Sequence, residues 1–214
     1  NEYFEFNIPL YILYSSGTTG EPKCIVHGAG GSLIQHKKEH QLHCNIQPND
    51  KVFYFTTCGW MMWNWLVSGL ASGATVVLYD GSPGHPDLGT LWRMAERTGI
   101  THLGTSPKFL AACSKSELVP KEVADLSSLR LILSTGAPLV PEQFDWVYEN
   151  VNSDIHLASI SGGTDIIGCF LAGSPILPVH RGELQCPQLG MDVQSWNTEG
   201  ESIIGESGEL VCTR

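Results

Sequence analysis

Apolar positions along the chain fall into two patterns, short continuous runs and helical stripes, with small polar residues gathered between them. "LYIL" (10–13) and "CIVH" (24–27) read as strands, and a helix is expected after Gly31, carrying Leu33, Ile34, Lys37 and Cys44. "KVFYF" (51–55) is a strand, "MMWNWLVSGLA" (61–71) a helix, and "ATVVLYD" (74–80) a strand with a β-branched centre. Leu88, Leu91, Trp92 and Ala95 keep the i, i+3, i+4, i+7 stripe of a core-facing helix. "ITHLGTS" and "LRLILST" are strands, and Pro107 and Pro141 each stand near the first turn of a helix. In the second of these, Phe144, Val147, Tyr148 and Val151 repeat the stripe. "DIHLASI" is a strand leading into "SGGTD", and "IIGCFLAG" is expected to continue extended.

Strands alternating with helices predict an α/β fold, a mostly parallel sheet flanked by helices. The pattern changes near the end. From about residue 181 to 214 the chain reads as short strands and turns ("ELQ", "GMDVQSW", "GELVC"), the start of a small β-rich subdomain after an α/β part of about 1–180. In such a sheet, ligand chemistry collects at the strand-to-loop ends. Four loops there hold the small polar residues, "SSGTTGEPK", "TTCGWMMW", "STGAPL" and "SISGGTD", and the fold is expected to converge them on one cleft.

Charge narrows the partners. Twelve basic residues face twenty-two acidic ones, a formal net charge of -10, so nucleic acid and anionic membrane are excluded as main partners. An anionic small molecule is not excluded, since backbone N–H groups and a metal ion can hold one. The stretch from Val52 to Tyr79 lacks charge, but glycines and polar residues interrupt it, so it reads as strand, loop, helix and strand rather than a membrane span. Seven scattered cysteines without a C-x-x-C pair read as free, buried thiols of a reducing compartment, and a cytoplasmic (cytosolic) location is expected. The opening "NEYFEF" without an initiator Met and the close on "GELVCTR" read as a piece of a longer protein.

The loop from Ser15 to Lys23 carries the most chemistry. Gly17 and Gly20 allow turns that point N–H groups inward, Ser15, Ser16, Thr18 and Thr19 add hydroxyl donors, and Lys23 adds positive charge at the exit. Neither G-x-x-x-x-G-K-[ST] nor G-x-G-x-x-G is present. The residues alone fit a cradle for phosphate oxygens or a plain flexible turn.

S-S-G-T-T-G-x-P-K also resembles the signature of the adenylate-forming enzymes, the family of acyl-CoA synthetases, luciferases and peptide-synthetase adenylation domains. "STGAPL" and "SISGGTD" follow in the family's order, and the resemblance spans nearly the whole chain as the central part of the AMP-binding (adenylation) domain. "GWMMWNW", "LYDGSP" and "SISGGTDI" are most similar to the acetoacetate-activating branch. The resemblance implies an ATP-dependent acid–thiol ligase. A carboxylate attacks the α-phosphorus of ATP, pyrophosphate leaves, and the thiol of coenzyme A displaces AMP, with Mg2+ assisting. It also implies that the family's ribose-binding aspartate and its lysine-bearing C-terminal domain lie beyond Arg214, so this piece alone is expected to be inactive.

Site residues follow from that resemblance. Ser15, Ser16, Gly17, Thr18, Thr19 and Gly20 match the β- and γ-phosphate loop, and Lys23 stands at its lysine. Gly136, Ala137 and Pro138 match the adenine-flanking segment, where Ala137 replaces the usual glutamate. Ser159, Ile160, Ser161, Gly162, Gly163 and Thr164 complete the nucleotide set, with Thr164 donating to phosphate. Asp165 stands where most members place a metal-binding glutamate; it is shorter by about 1.5 Å of reach, and otherwise reads as a loop-capping Asp. Trp60, Met61, Met62, Thr135 and Gly162 match the acyl pocket, and glycine at 162, where acetate-using relatives carry tryptophan, implies room for a longer acid. Trp63 and Trp65 read as core. His36, His40 and His43, near helical spacing beside charged residues, read as a solvated face, with a metal site as the alternative. Two other readings stay open: a synthetase for another short- or medium-chain acid, and a truncated, non-catalytic nucleotide-binding module.

Overall fold

The computed structural model describes residues 2–15 and 20–213. Its centre is a five-stranded parallel sheet. In chain order the strands are β1 (Pro9–Ser15), β2 (Lys23–Gly28), β3 (Lys51–Tyr54), β4 (Thr75–Val77), β5 (His102–Thr105), β6 (Leu131–Ser134) and β7 (His156–Ser159). The last five form the sheet in the order β4-β3-β5-β6-β7. Helices α1 (Ala29–Lys38), α2 (Met61–Ser68), α3 (Thr90–Thr98), α4 (Pro107–Lys115), α5 (Pro120–Val123) and α6 (Pro141–Asn150) make the connections. Pro107, Pro120 and Pro141 each open their helix, and Ser106 caps α4 by accepting from the Phe109 N–H.

Strand alternation divides the core between the two faces of the sheet. Phe53, Leu103, Ile132 and Leu157 face one way, onto Leu91, Trp92 and Ala95 of α3, Leu110 of α4, and Phe144 and Val147 of α6. Val52, Tyr54, Leu131, Leu133 and Ala158 face the other, onto Met62, Trp65 and Leu66 of α2. The uncharged stretch thus resolves into β3, α2 and β4, and no helix among the described residues is long and apolar enough to cross a membrane.

Four expectations are corrected. β1 does not join the parallel sheet; it pairs antiparallel with β2 in a separate hairpin, because so short a connection joins antiparallel neighbours whereas parallel strands need a crossover. The stretch after Ser159 is not continuously extended. β8 (Ser161–Gly163) turns through a 3-10 segment, Thr164–Ile166, into β9 (Gly168–Ala172), which pairs on its other edge with β10 (Cys186–Pro187). The third concerns α1, which continues as a π-helical turn, Glu39–His43. Leu33 and Ile34 are exposed, while His36, Glu39, His40 and His43 are buried, so the expected solvated histidine face is the inner one. A last three-stranded sheet, β12-β11-β13, comprises β11 (Val193–Trp196), β12 (Ser202–Ile203) and β13 (Glu209–Cys212). Of the cysteines, Cys44, Cys113 and Cys169 are buried as expected, whereas Cys24 and Cys58 are exposed.

Candidate functional site

At the C-terminal edge of the parallel sheet lies a cavity of about 440 Å3. Such an edge gathers ligands because the strand ends splay into loops there. Three segments far apart in sequence line it: Trp60, Met61 and Met62 at the start of α2, Thr135–Leu139 after β6, and Ser159–Thr164 after β7. The sheet register brings the last two together. Ile160 N–H donates to the Ser134 carbonyl at 2.9 Å, and the Thr135 hydroxyl donates to the Ile160 carbonyl at 2.8 Å. Trp60 stands edge-on to Tyr54, ring centres 5.9 Å apart, a contact that orients the indole in the cavity wall.

All five residues expected for an acyl pocket, Trp60, Met61, Met62, Thr135 and Gly162, line this one cavity. So do Gly136, Ala137, Pro138, Ser159, Ile160, Ser161, Gly163 and Thr164 of the expected nucleotide set. Asp165 is exposed and not among the lining residues; its Oδ2 reaches back to within 3.8 Å of where a Cβ on Gly163 would stand. Ser15, Gly20 and Lys23 are outside the lining too. Ser15 pairs with Lys23 at the end of the β1–β2 hairpin, where Gly20 and Lys23 are exposed. Ser16, Gly17, Thr18 and Thr19 lie outside the described residues. The hairpin still meets the site, since His27 Nε2 lies 2.8 Å from the Thr164 carbonyl oxygen. A carbonyl only accepts, so Nε2 carries the proton.

Gly168, Cys169, Gly182, Glu183 and Leu184 also line the cavity, and the sequence reading missed them; Leu139, the end of the expected "STGAPL" loop, lines it as well. Two were within its reach: a hairpin turning at Thr164 pairs Gly162 with Cys169 and Gly163 with Gly168. Gly162 also has a steric role. A Cβ there would run into the Gly168 carbonyl oxygen and lie 2.8 Å from the Cys169 Cα. No lysine or arginine is among the described lining residues. As for a divalent cation, no group of three or more His, Cys, Asp or Glu suited to holding a metal occurs among the described residues. The exposed Asp165 carboxylate therefore fits an ion held chiefly by phosphate oxygens and water, the usual habit of Mg2+.

Behind the cavity the polar face of α1 meets the β8–β9 turn. His36 Nε2 donates to the Ile167 carbonyl at 2.7 Å and its Nδ1 accepts from the Ser68 hydroxyl at 2.8 Å. Burial holds its pKa down at about 4. Glu39 Oε1 accepts from Cys169 N–H at 2.9 Å and from Gln35 Nε2 at 2.8 Å, and Oε2 accepts from Trp65 Nε1 at 2.8 Å. Burial raises the Glu39 pKa, and the Cys169 N–H and Trp65 indole N–H pull the other way. His43 Nδ1 donates to the Gly173 carbonyl at 2.8 Å and its Nε2 accepts from Leu189 N–H at 3.1 Å.

Comparison with known proteins shows the family. Residues 5–214 match the family described as AMP-binding enzyme. The chain is 58% identical over 213 residues to an acetoacetyl-coenzyme A synthetase of Rhizobium meliloti (strain 1021), covering 100% of this chain and 33% of that protein. It is 55% identical to an acetoacetyl-CoA synthetase of Gallus gallus, covering 100% of this chain and 32% of that protein. The solved acetoacetyl-CoA synthetase of Streptomyces lividans superposes with a TM-score of 0.93 at 50% identity, over 99% of this chain and 33% of that one. The chain thus spans about a third of the length of the relatives it matches.

Proposed function

Because this chain belongs to the AMP-binding enzyme family, we propose that the protein carrying it is an ATP-dependent acid–CoA ligase acting on acetoacetate. The observation that carries the reading is the convergence of Trp60–Met62, Thr135–Pro138 and Ser159–Thr164 on one cavity, whose volume suits a small ligand. The names of the relatives support acetoacetate as the acid. A cytosolic location belongs to the same reading, supported by the buried, unbridged Cys44, Cys113 and Cys169. So does the division into an α/β part to about residue 180 and a β-rich subdomain beyond it.

In this reading the acid enters between Trp60, Met61 and Met62, with its carboxylate toward Thr164. A carboxylate oxygen bonds to the α-phosphorus of ATP as the bond to pyrophosphate breaks. The thiol of coenzyme A then attacks the acyl carbon and AMP leaves. Two anions must approach each other, so the apolar indole and thioether walls exclude water, and the Thr164 hydroxyl donates to a phosphate oxygen. Asp165 would hold Mg2+, which supplies charge neutralisation between the phosphates. Ser15, Gly20 and Lys23 would contact the triphosphate, with Lys23 supplying positive charge that the described cavity wall lacks.

Carboxylate-dependent exchange of pyrophosphate into ATP, run on the full-length protein with acetoacetate, acetate and longer acids, tests the reading. Acetoacetate is expected to give the highest kcat/KM. A higher value with acetate would shift the assignment to another acid. No exchange with any acid would favour a non-catalytic nucleotide-binding module.

A further inference from the structure

Ile167 has φ 49°, in the left-handed region. A β-branched residue there is strained and persists only where its surroundings hold it. Here they do. Its side chain is 3% exposed, and the flanking backbone is gripped from behind at two points. His36 Nε2–H takes the Ile167 carbonyl, and Glu39 Oε1 takes the Cys169 N–H. The grip is close: a Cβ on the intervening Gly168 would collide with Glu39 Oε1 and lie 2.5 Å from Gln35 Nε2. Neither His36 nor Glu39 lines the cavity, whereas Thr164, three residues before the strained one, does.

Packing alone does not account for this face. A helix needing only burial would press aliphatic residues onto the β8–β9 turn, yet α1 and the turn after it bury His36 and Glu39 against it. Burying ionisable groups is costly, and apolar replacements of similar volume often stabilise a fold. What these two provide that leucine does not is directional bonds to backbone groups on either side of a strained turn.

We propose that His36 and Glu39 are positioning residues that hold Ile167 left-handed and so fix the direction in which Thr164 faces the cavity and the place of Asp165 beside it. The inference rests on reading that cavity as the site of acid activation.

The test uses the full-length protein carrying His36→Leu, His36→Gln or Glu39→Gln. Glutamine reaches about as far as histidine and keeps an N–H for the Ile167 carbonyl; leucine does not. His36→Leu is expected to lower kcat for acetoacetate-dependent ATP–pyrophosphate exchange by about tenfold, with KM for acetoacetate within about twofold, because a displaced turn misaligns groups without emptying the pocket. His36→Gln is expected to keep most of the rate. A loss under about threefold in His36→Leu, or an equal loss in His36→Gln, would overturn the proposal. Glu39→Gln, nearly isosteric, covers the case in which His36→Leu does not fold: it turns an N–H donor toward Cys169 N–H or Trp65 Nε1–H and is expected to lower kcat in the same way, and an unchanged kcat counts against the proposal.

Amide hydrogen exchange separates this inference from the functional reading. Should the unmodified protein show no acid-dependent exchange, the functional reading fails. Faster exchange across 164–169 in His36→Leu than in His36→Gln would still uphold the turn-holding role, and equal protection would remove it.

Discussion

A Cβ placed on Gly162 would run into the carbonyl oxygen of Gly168, across the hairpin that forms one wall of the cavity, and would lie 2.8 Å from the Cys169 Cα. Glycine at this position was expected to mark a pocket opened for a longer acid. The coordinates add a nearer cause. β8 and β9 approach too closely for any side chain, at a point where their register slips between Ser161 and Gly162. Room in the cavity and closeness of the strands are two consequences of one missing Cβ.

Gly162→Ala is therefore expected to destabilise the protein by roughly 1–3 kcal/mol, the usual cost of forcing atoms into a packed site. Rates with acetate and acetoacetate should fall together, and Gly162→Trp should fail in the same way rather than become an acetate enzyme. Urea unfolding and exchange rates with both acids check this. A Gly162→Ala protein within about 0.5 kcal/mol of the parent would remove the steric argument.

Acid stability follows from the buried histidines. Burial lowers His36 and His102 to about 4 and His40 to about 3, all below the ordinary 6.5. His36 faces Ser68, the Ile167 carbonyl and His27, and His102 faces Asp50, Arg130 and His156. Between pH 4 and 6.5 the unfolded chain binds protons that the folded chain refuses. The stability these groups confer is thus full above 6.5 and is lost as pH falls toward 4, with a slope of up to about 1.4 kcal/mol per pH unit for each histidine. Glu39, raised above 4.5, works in the opposite direction but is one group against three. The urea midpoint is expected to be lower at pH 5 than at pH 7. An equal or higher midpoint at pH 5 would mean that these imidazoles titrate freely.

Local pattern made much of the fold legible. The stripe of Leu91, Trp92 and Ala95 and the runs around Val52, Leu103 and Ile132 report burial through residues a few positions apart, and the structure buries them. The cavity was legible for a related reason, since parallel strand order places the loops after Ser134 and Ser159 side by side. α1 was not. Its buried face is polar, and the groups that satisfy it, the carbonyls of Ile167 and Gly173 and the N–H of Cys169, lie about 130 residues away in the chain. A histidine paired with a distant backbone group looks the same in sequence as one facing water. The β1–β2 hairpin was legible as two strands but not in its pairing: the two run antiparallel to each other, apart from the parallel sheet.

Asp165 offers the sharpest check on the metal. Its carboxylate is exposed beside Gly163 and Thr164, and no cluster of acidic or histidine ligands accompanies it among the described residues. A cation held here would depend on nucleotide phosphates for most of its ligands, so its affinity should rise steeply once ATP is bound. Asp165→Asn keeps the size of the side chain and removes its charge. In the full-length protein this variant is expected to need at least about tenfold more Mg2+ to reach half-maximal ATP–pyrophosphate exchange, the lower end of the loss seen when even an outer-shell partner of a metal is changed. Binding of ATP without metal should be little affected, and chelation should abolish exchange in the parent and the variant alike. Titrating Mg2+ at fixed ATP and acetoacetate distinguishes the outcomes. An unchanged half-maximal concentration would make Asp165 a loop-capping residue and move the metal ligand elsewhere in the protein.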